Sequence, residues 1–335
     1  MRRIAGSARA DDRFIENRRT AALAHLRTIS RIRHVLPNTN PTLAMEYLER
    51  RRALVESRLA TVLDAAEPGA MAERLEHVSL SGGKRVRPMV TLLAFEAAGG
   101  ELVGEDGRGS AASAEAVDFA VGIELVHNAS LVVDDIIDES ELRRGVESTW
   151  AAFGYGPAIA TSDGLLGEAF SLFGSNDRAM RTVAEAMVEL GEGEATELVA
   201  QPTTEEEYME LARRKTGALF RAAAELGAIA ANADTYTIES FGGYAERVGV
   251  AFQIRDDVLD ATAEADALGK PAGRDEAMER PSLVRITELT PEEINDRARE
   301  ESEAALSALS AADPGDSAAV GYLEDLAEFV VVRER

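Results

Sequence analysis

The chain contains no cysteine, which removes disulfides, thiolate metal sites and a cysteine nucleophile from consideration. Lysine is almost missing as well: of 36 basic residues, all but Lys84, Lys215 and Lys270 are arginine. No uncharged apolar run reaches the roughly 18 residues that a membrane-crossing helix needs, so no membrane span is expected and the protein is assigned to the cytoplasm. Convincing period-two alternation is absent, which argues against an extensive sheet.

Acid is what the chain has in abundance. Sixty acidic residues against 36 basic ones give a formal net charge of −24, which speaks against nucleic acid as a partner. An acidic, lysine-poor composition is expected of a halophilic protein, kept soluble in concentrated salt by hydrated carboxylates. The first 44 residues break this balance, with nine arginines and three acids. Residues 1–44 are read as a basic extension, disordered or not translated, because M-E-Y-L-E-R-R-R starts an amphipathic helix at Met45 and Pro37 and Pro41 mark the break.

From residue 45 to 335 the pattern is helical nearly throughout. Apolar residues recur at three- and four-residue spacing over 44–65, 112–139, 156–173, 176–200, 205–231, 235–262 and 291–311. Thr204, after Pro202, is placed to cap the helix that follows. With 45% apolar residues for a core and neither linker nor fixed-period repeat, the reading is one all-α domain of about ten or eleven helices, a helical bundle.

His127 to Gly145 reads H-N-A-S-L-V-V-D-D-I-I-D-E-S-E-L-R-R-G. On a helix, Asp138 lies one turn above Asp134 and His127 two turns below, all in one narrow sector, with Asp135 beside them. Carboxylates so close repel each other unless a cation sits between them. Hard oxygen donors favour Mg²⁺, which takes one or two carboxylates and completes its shell with water and phosphate oxygens. Asp256, Asp257 and Asp260 repeat the spacing about 120 residues later in F-Q-I-R-D-D-V-L-D. Two copies point to a paired metal site. Upstream, S-G-G-K-R-V-R-P at 81–88 offers a tight glycine turn with Lys84 and Arg87 as diphosphate-binding cations. The three lysines stand at this turn, in R-K-T-G-A-L-F and in L-G-K.

Together G-G-K-R-x-R-P, H-x-x-S-L-x-x-D-D-x-x-D with R-R-G, K-T-G-x-L-F, F-Q-x-x-D-D-x-x-D and G-K resemble, in order, the trans-isoprenyl diphosphate synthases, or polyprenyl synthetases, and in particular archaeal short-chain ones. The resemblance implies an all-α isoprenoid-synthase fold around a deep cavity and a homodimer. It implies two or three Mg²⁺ ions held by Asp134, Asp135, Asp138, Asp256, Asp257 and Asp260. Isopentenyl diphosphate would be held by Lys84, Arg87, His127 and Arg144, and the allylic diphosphate by Arg143, Lys215 and Lys270. Thr216 and Gln253 would face the allylic cation, and Asp134, Asp138, Asp256 and Lys215 would carry the catalysis. Phe220 and Phe252 are read as core. Val133, Glu147, Trp150 and G-E-A-T-E-L at 193–198 depart from the family pattern, and Arg280 stands where a late lysine is usual.

Fifteen-carbon synthases carry an aromatic ring four or five residues before the first Asp of the motif. Here Ser130 and Ala129 are small, and Val126, Ile123 and Gly122 below them leave space. Geranylgeranyl diphosphate, with twenty carbons, is therefore the expected product, with farnesyl or geranylfarnesyl diphosphate as alternatives. A non-catalytic subunit of a heteromeric synthase and a cyclising terpene synthase are the competing classes.

Overall fold

Residues 111–137 are apolar on nearly every face, and a helix of that kind is stable only when other elements surround it. In the computed structural model, which describes residues 41–102, 109–267 and 281–332 with side chains over 45–102, 109–259 and 281–332, this stretch is the central helix. The thirteen helices among the described residues are α1 (Pro41–Asp64), α2 (Gly69–Leu80), α3 (Val86–Ala97), α4 (Ala111–Ile137), α5 (Thr149–Phe153), α6 (Tyr155–Phe173), α7 (Asp177–Ala195), α8 (Glu205–Ala212), α9 (Ala218–Ala230), α10 (Thr235–Ala267), α11 (Leu283–Ile286), α12 (Pro291–Ala311) and α13 (Ala318–Val332). A two-residue hairpin, β1 (Leu142–Arg143) with β2 (Val146–Glu147), is the exception to an all-α fold.

Helix α4 starts at Ser110, whose hydroxyl accepts from the Ser113 amide at 3.1 Å. It packs against α1, α3, α6 and α9 and buries Phe119, Ile123, Leu125 and Val126, each contributing about 1.5–3 kcal/mol. By length and composition α4 could cross a membrane, but 67% of its most apolar stretch is buried inside the protein and Glu124 within it pairs with Arg85 at 2.7 Å. Its apolar character is accounted for by the core alone. Helix α10 lies against α9 and α12, and α13 joins α12 to α3. A smaller apolar cluster, including Tyr208, Val250, Ile254, Val258, Leu283 and Ile294, sits under the second acidic motif.

Helix starts follow the expected chemistry. Thr204 and Thr290 each form a capping box, with Glu207 and Glu293 reaching back. The run 205–231 is not one helix: a π turn, Arg213–Gly217, separates α8 from α9. A second π turn, Thr196–Ala200, ends the run after α7. Each adds a residue to a turn, a local shift that periodicity over a long window averages away, and such turns occur frequently at functional sites. The hairpin escaped the sequence because four strand residues are too few to alternate.

Candidate active site

Helix α4 ends where its acids begin. The Asp138 amide donates to the Asp134 carbonyl at 2.9 Å as the cap of the helix, so the two residues keep their one-turn spacing, both half-buried. The C-terminus of a helix carries the negative end of its dipole, so carboxylates gathered there raise the local demand for a cation. Asp135 is almost fully buried and its carboxylate accepts from Arg143, at 2.7 Å from Nε and 2.5 Å from Nη2. Burial pushes its pKa up, against the pull of Arg143.

The hairpin that follows presents the two arginines. Its turn residues, Arg144 and Gly145, both have positive φ, 54° and 81°, the twist that a two-residue hairpin turn requires. Arg144 Nη1 donates to the Gly82 carbonyl at 2.6 Å. Gly83, at φ 129°, lies so close that a Cβ there would be 2.9 Å from Arg144 Nη1 and 3.1 Å from Arg85 Nη1, whereas Gly82 has open space and is called for by its φ of 108° alone. Arg85 holds the loop from within: it is 3% exposed and donates to Glu124 at 2.7 Å, Glu56 at 2.9 Å and the Ser79 carbonyl at 2.5 Å. Lys84, next to it, is exposed.

Arg87 lies 4.6 Å over the Phe220 ring, and burial lowers its pKa to about 10. Its Nε is buried without a hydrogen-bond partner. Phe220 is thus core, as expected, and also a platform for a cation. Burial, then the charges of Arg87, Arg144, Arg143 and Arg85, hold the His127 pKa well below its usual value. The imidazole is neutral at pH 7, inside a cluster of guanidinium groups whose positive charge an incoming diphosphate would balance.

Lys215 sits in the Arg213–Gly217 turn and its ammonium pairs with Glu194 at 3.0 Å and, more closely, with Glu197. These are the two acids of G-E-A-T-E-L. Thr216 Oγ1 donates to Gln253 Oε1 at 2.8 Å, Gln253 Nε2 donates to Asp257 Oδ1 at 3.0 Å, and Tyr208 OH donates to Asp257 Oδ2 at 2.6 Å. Burial raises the Asp257 pKa to about 6, although Tyr208 and Gln253 both favour the ionised form. Asp256, one position earlier on α10, is half-buried. Lys270, Arg280 and the side chain of Asp260 lie outside the described residues.

Among the described residues, no three His, Asp or Glu side chains converge tightly enough to hold a metal ion by themselves. Oxygen donors split between α4 and α10 fit a hard cation that shares its shell with water and substrate oxygens. Asp135 and Asp257 hold protein partners here, Arg143 for one and Tyr208 with Gln253 for the other. Sequence reasoning passed over Arg85, Glu194, Glu197 and Tyr208. For Tyr208 no spacing gave a signal: the π turn Arg213–Gly217 breaks the register toward Lys215, and its partner Asp257 lies on another helix.

A family model described as polyprenyl synthetase matches residues 69–318. The short chain isoprenyl diphosphate synthase of Methanothermobacter thermautotrophicus is 33% identical over 264 residues, covering 76% of this chain and 78% of its own. The geranylfarnesyl diphosphate synthase of Natronomonas pharaonis is 31% identical over 305 residues, 86% of each chain. Among solved structures, the geranylgeranyl pyrophosphate synthetase from the archaeon Geoglobus acetivorans aligns with a TM-score of 0.70 at 30% identity, over 85% of this chain and 99% of that one.

Proposed function

The chain belongs to the polyprenyl synthetase family and is a trans-prenyltransferase, and on that premise we propose that it condenses isopentenyl diphosphate with an allylic diphosphate, with Mg²⁺, to make geranylgeranyl diphosphate. The observation that carries the reading is the pairing of two unlike sites: half-buried carboxylates ending α4 and lying on α10, and a separate cluster of Arg87, Arg144 and neutral His127 at the Gly82–Gly83 turn. An enzyme joining two diphosphates needs one anion site for each.

Asp134, Asp138 and Asp256 would hold Mg²⁺, which supplies the positive charge that lets pyrophosphate leave the allylic carbon. Arg87, Arg144, His127 and Lys84 bind and orient isopentenyl diphosphate, so that its double bond meets the allylic carbon as the cation forms. His127, neutral in the fold, offers one N–H donor to that diphosphate. Lys215, steadied by Glu194 and Glu197, holds the allylic diphosphate with Arg143 and Lys270. Asp135 acts by aiming Arg143. No protein nucleophile is needed. The proton lost from the condensed product goes to the departing pyrophosphate. The active unit is a homodimer of residues 45–335.

A twenty-five-carbon product is the second reading, favoured by the Natronomonas pharaonis relative, a geranylfarnesyl diphosphate synthase. The test is one incubation of the protein with Mg²⁺, isopentenyl diphosphate and farnesyl diphosphate. An elongated diphosphate of twenty carbons is expected. A hydrocarbon would make it a cyclase, and no product would leave a non-catalytic subunit.

A further inference from the structure

We propose that Tyr208 is a positioning residue for the allylic side of the site. It holds Asp257, and through Asp257 and Gln253 it fixes Thr216, so that one oriented chain of hydrogen bonds ties the second acidic motif to the lysine-bearing turn. This deepens the function proposed above and rests on it.

The chain has four members on three segments: Tyr208 on α8, Asp257 and Gln253 on α10, and Thr216 in the π turn before α9. Its three links measure 2.6, 3.0 and 2.8 Å. Its direction is fixed by chemistry. An ionised carboxylate only accepts, so Asp257 accepts a hydrogen bond from the Tyr208 phenol on one oxygen and from the Gln253 amide on the other. The Gln253 amide must then turn its NH₂ toward Asp257 and its carbonyl toward Thr216, because the flipped amide would set one acceptor against another. Thr216 is left as donor to Gln253, and its lone pairs point elsewhere.

Tyr208 starts this chain, and its ring cannot wander. It is 2% exposed and packed in the cluster with Val250, Ile254, Val258 and Leu283. A buried phenol has to satisfy its hydroxyl, and this one does so on the carboxylate of an acidic motif. The residues that would touch substrate or metal are the immediate neighbours of the chain: Lys215 precedes Thr216, and Asp256 precedes Asp257. Fixing Thr216 to Asp257 therefore fixes an ammonium relative to a metal-ligating carboxylate. A diphosphate gripped from two sides requires that spacing before it arrives, and preorganisation of this sort contributes to the chemical step.

Tyr208→Phe keeps the ring and removes the donor. With active wild type as reference, kcat should fall about tenfold or more, as expected for losing a hydrogen bond to a charged group, while KM for isopentenyl diphosphate stays unchanged. Calorimetry of Mn²⁺ binding in the presence of inorganic pyrophosphate, without turnover, should show weaker affinity. Asp257→Asn should give a similar defect, and adding Tyr208→Phe to it should cost nothing more. If Tyr208→Phe does not fold, Gln253→Met breaks the next link and should weaken Mn²⁺ pyrophosphate in the same way. Wild-type kcat and Mn²⁺ affinity in Tyr208→Phe, fully additive losses in the double variant, or unchanged Mn²⁺ affinity in Gln253→Met would overturn the proposal. Wild-type protein without prenyltransferase activity would instead overturn the function on which it rests, a result visible before any variant is made.

Discussion

Asp134 and Asp138 stand one turn apart at the negative end of the α4 dipole, where the dipole and their mutual repulsion both disfavour two charged carboxylates. In the proposed function these two carboxylates hold the metal. Asp134→Ala should then lower turnover by about a thousandfold or more, while circular dichroism stays helical. Retained turnover would remove Asp134 from the metal site. Not every perturbed acid belongs to that site. Glu225 on α9 has its pKa raised to about 7 by burial, with Arg221 pulling against this and Glu185, Glu246 and Glu189 adding to it. Its folded pKa lies above its unfolded value, so the folded state binds the extra proton between pH ~4.5 and ~7 and stability falls as pH rises through that window. Glu225→Gln should accordingly stabilise by about 1–3 kcal/mol at pH 8 and by nothing at pH 4, read from thermal melts at the two values.

Helix α4 and its antiparallel neighbour α6 decide product length in the proposed reading. An extended isoprene unit is roughly 5 Å, about three residues of helical rise. Asp134 to Gly122 spans about 18 Å on that scale, between three and four units. Gly122 packs against Phe173 of α6, whose ring lies where a side chain would be: a Cβ on Gly122 would stand 2.4 Å from Phe173 Cζ. We assign the floor to this ring, at a depth suited to twenty carbons. Phe173→Ala should lengthen the main product by one unit, and Ala129→Phe should shorten it to fifteen carbons, as measured by chromatography of the hydrolysed products. Ala129 is 2% exposed and its carbonyl accepts from Ser162 on α6 at 3.2 Å, so the added ring costs about 1–3 kcal/mol in overpacking. If neither variant moves the product, the floor lies on another helix. The small residues of α4 were legible in the sequence because they lie on one element. Phe173 was not, because only tertiary packing brings it to Gly122. The same divide runs through the site. The one-turn spacing of Asp134 and Asp138, the caps at Thr204 and Thr290 and the central burial of residues 111–137 follow from local rules. The commitment of Asp135 to Arg143, of Arg85 to Glu124 and of Asp257 to Tyr208 joins residues on different segments, and no periodicity announces such pairs.

Charge is the property that belongs to the whole molecule. A net charge of −24 repels itself in the compact state, and the repulsion is strongest when salt is low. The basic residues are unevenly placed, with nine arginines among the first 44 residues against three acids, so a chain beginning at Met45 is more negative than the full one. It keeps the packing that begins at α1: Tyr47 stacks on Tyr322 at 4.7 Å and donates to Glu96 at 2.9 Å, Arg51 pairs with Glu96, and Val55, Leu59 and Leu63 are fully buried. Starting instead at Gly69, where the family match begins, removes those three core side chains, each contributing about 1.5–3 kcal/mol. Their sum approaches the stability of an ordinary domain. The chain from Met45 should thus remain soluble and active, and the chain from Gly69 should not fold. At about 1 M salt, where the Debye length is about 3 Å, the melting temperatures of the full chain and the Met45 chain should coincide. In about 10 mM salt, where the Debye length is about 30 Å, both should melt lower and the Met45 chain lower still. Loss of activity or assembly in the Met45 chain at high salt would show that residues 1–44 do more than offset charge.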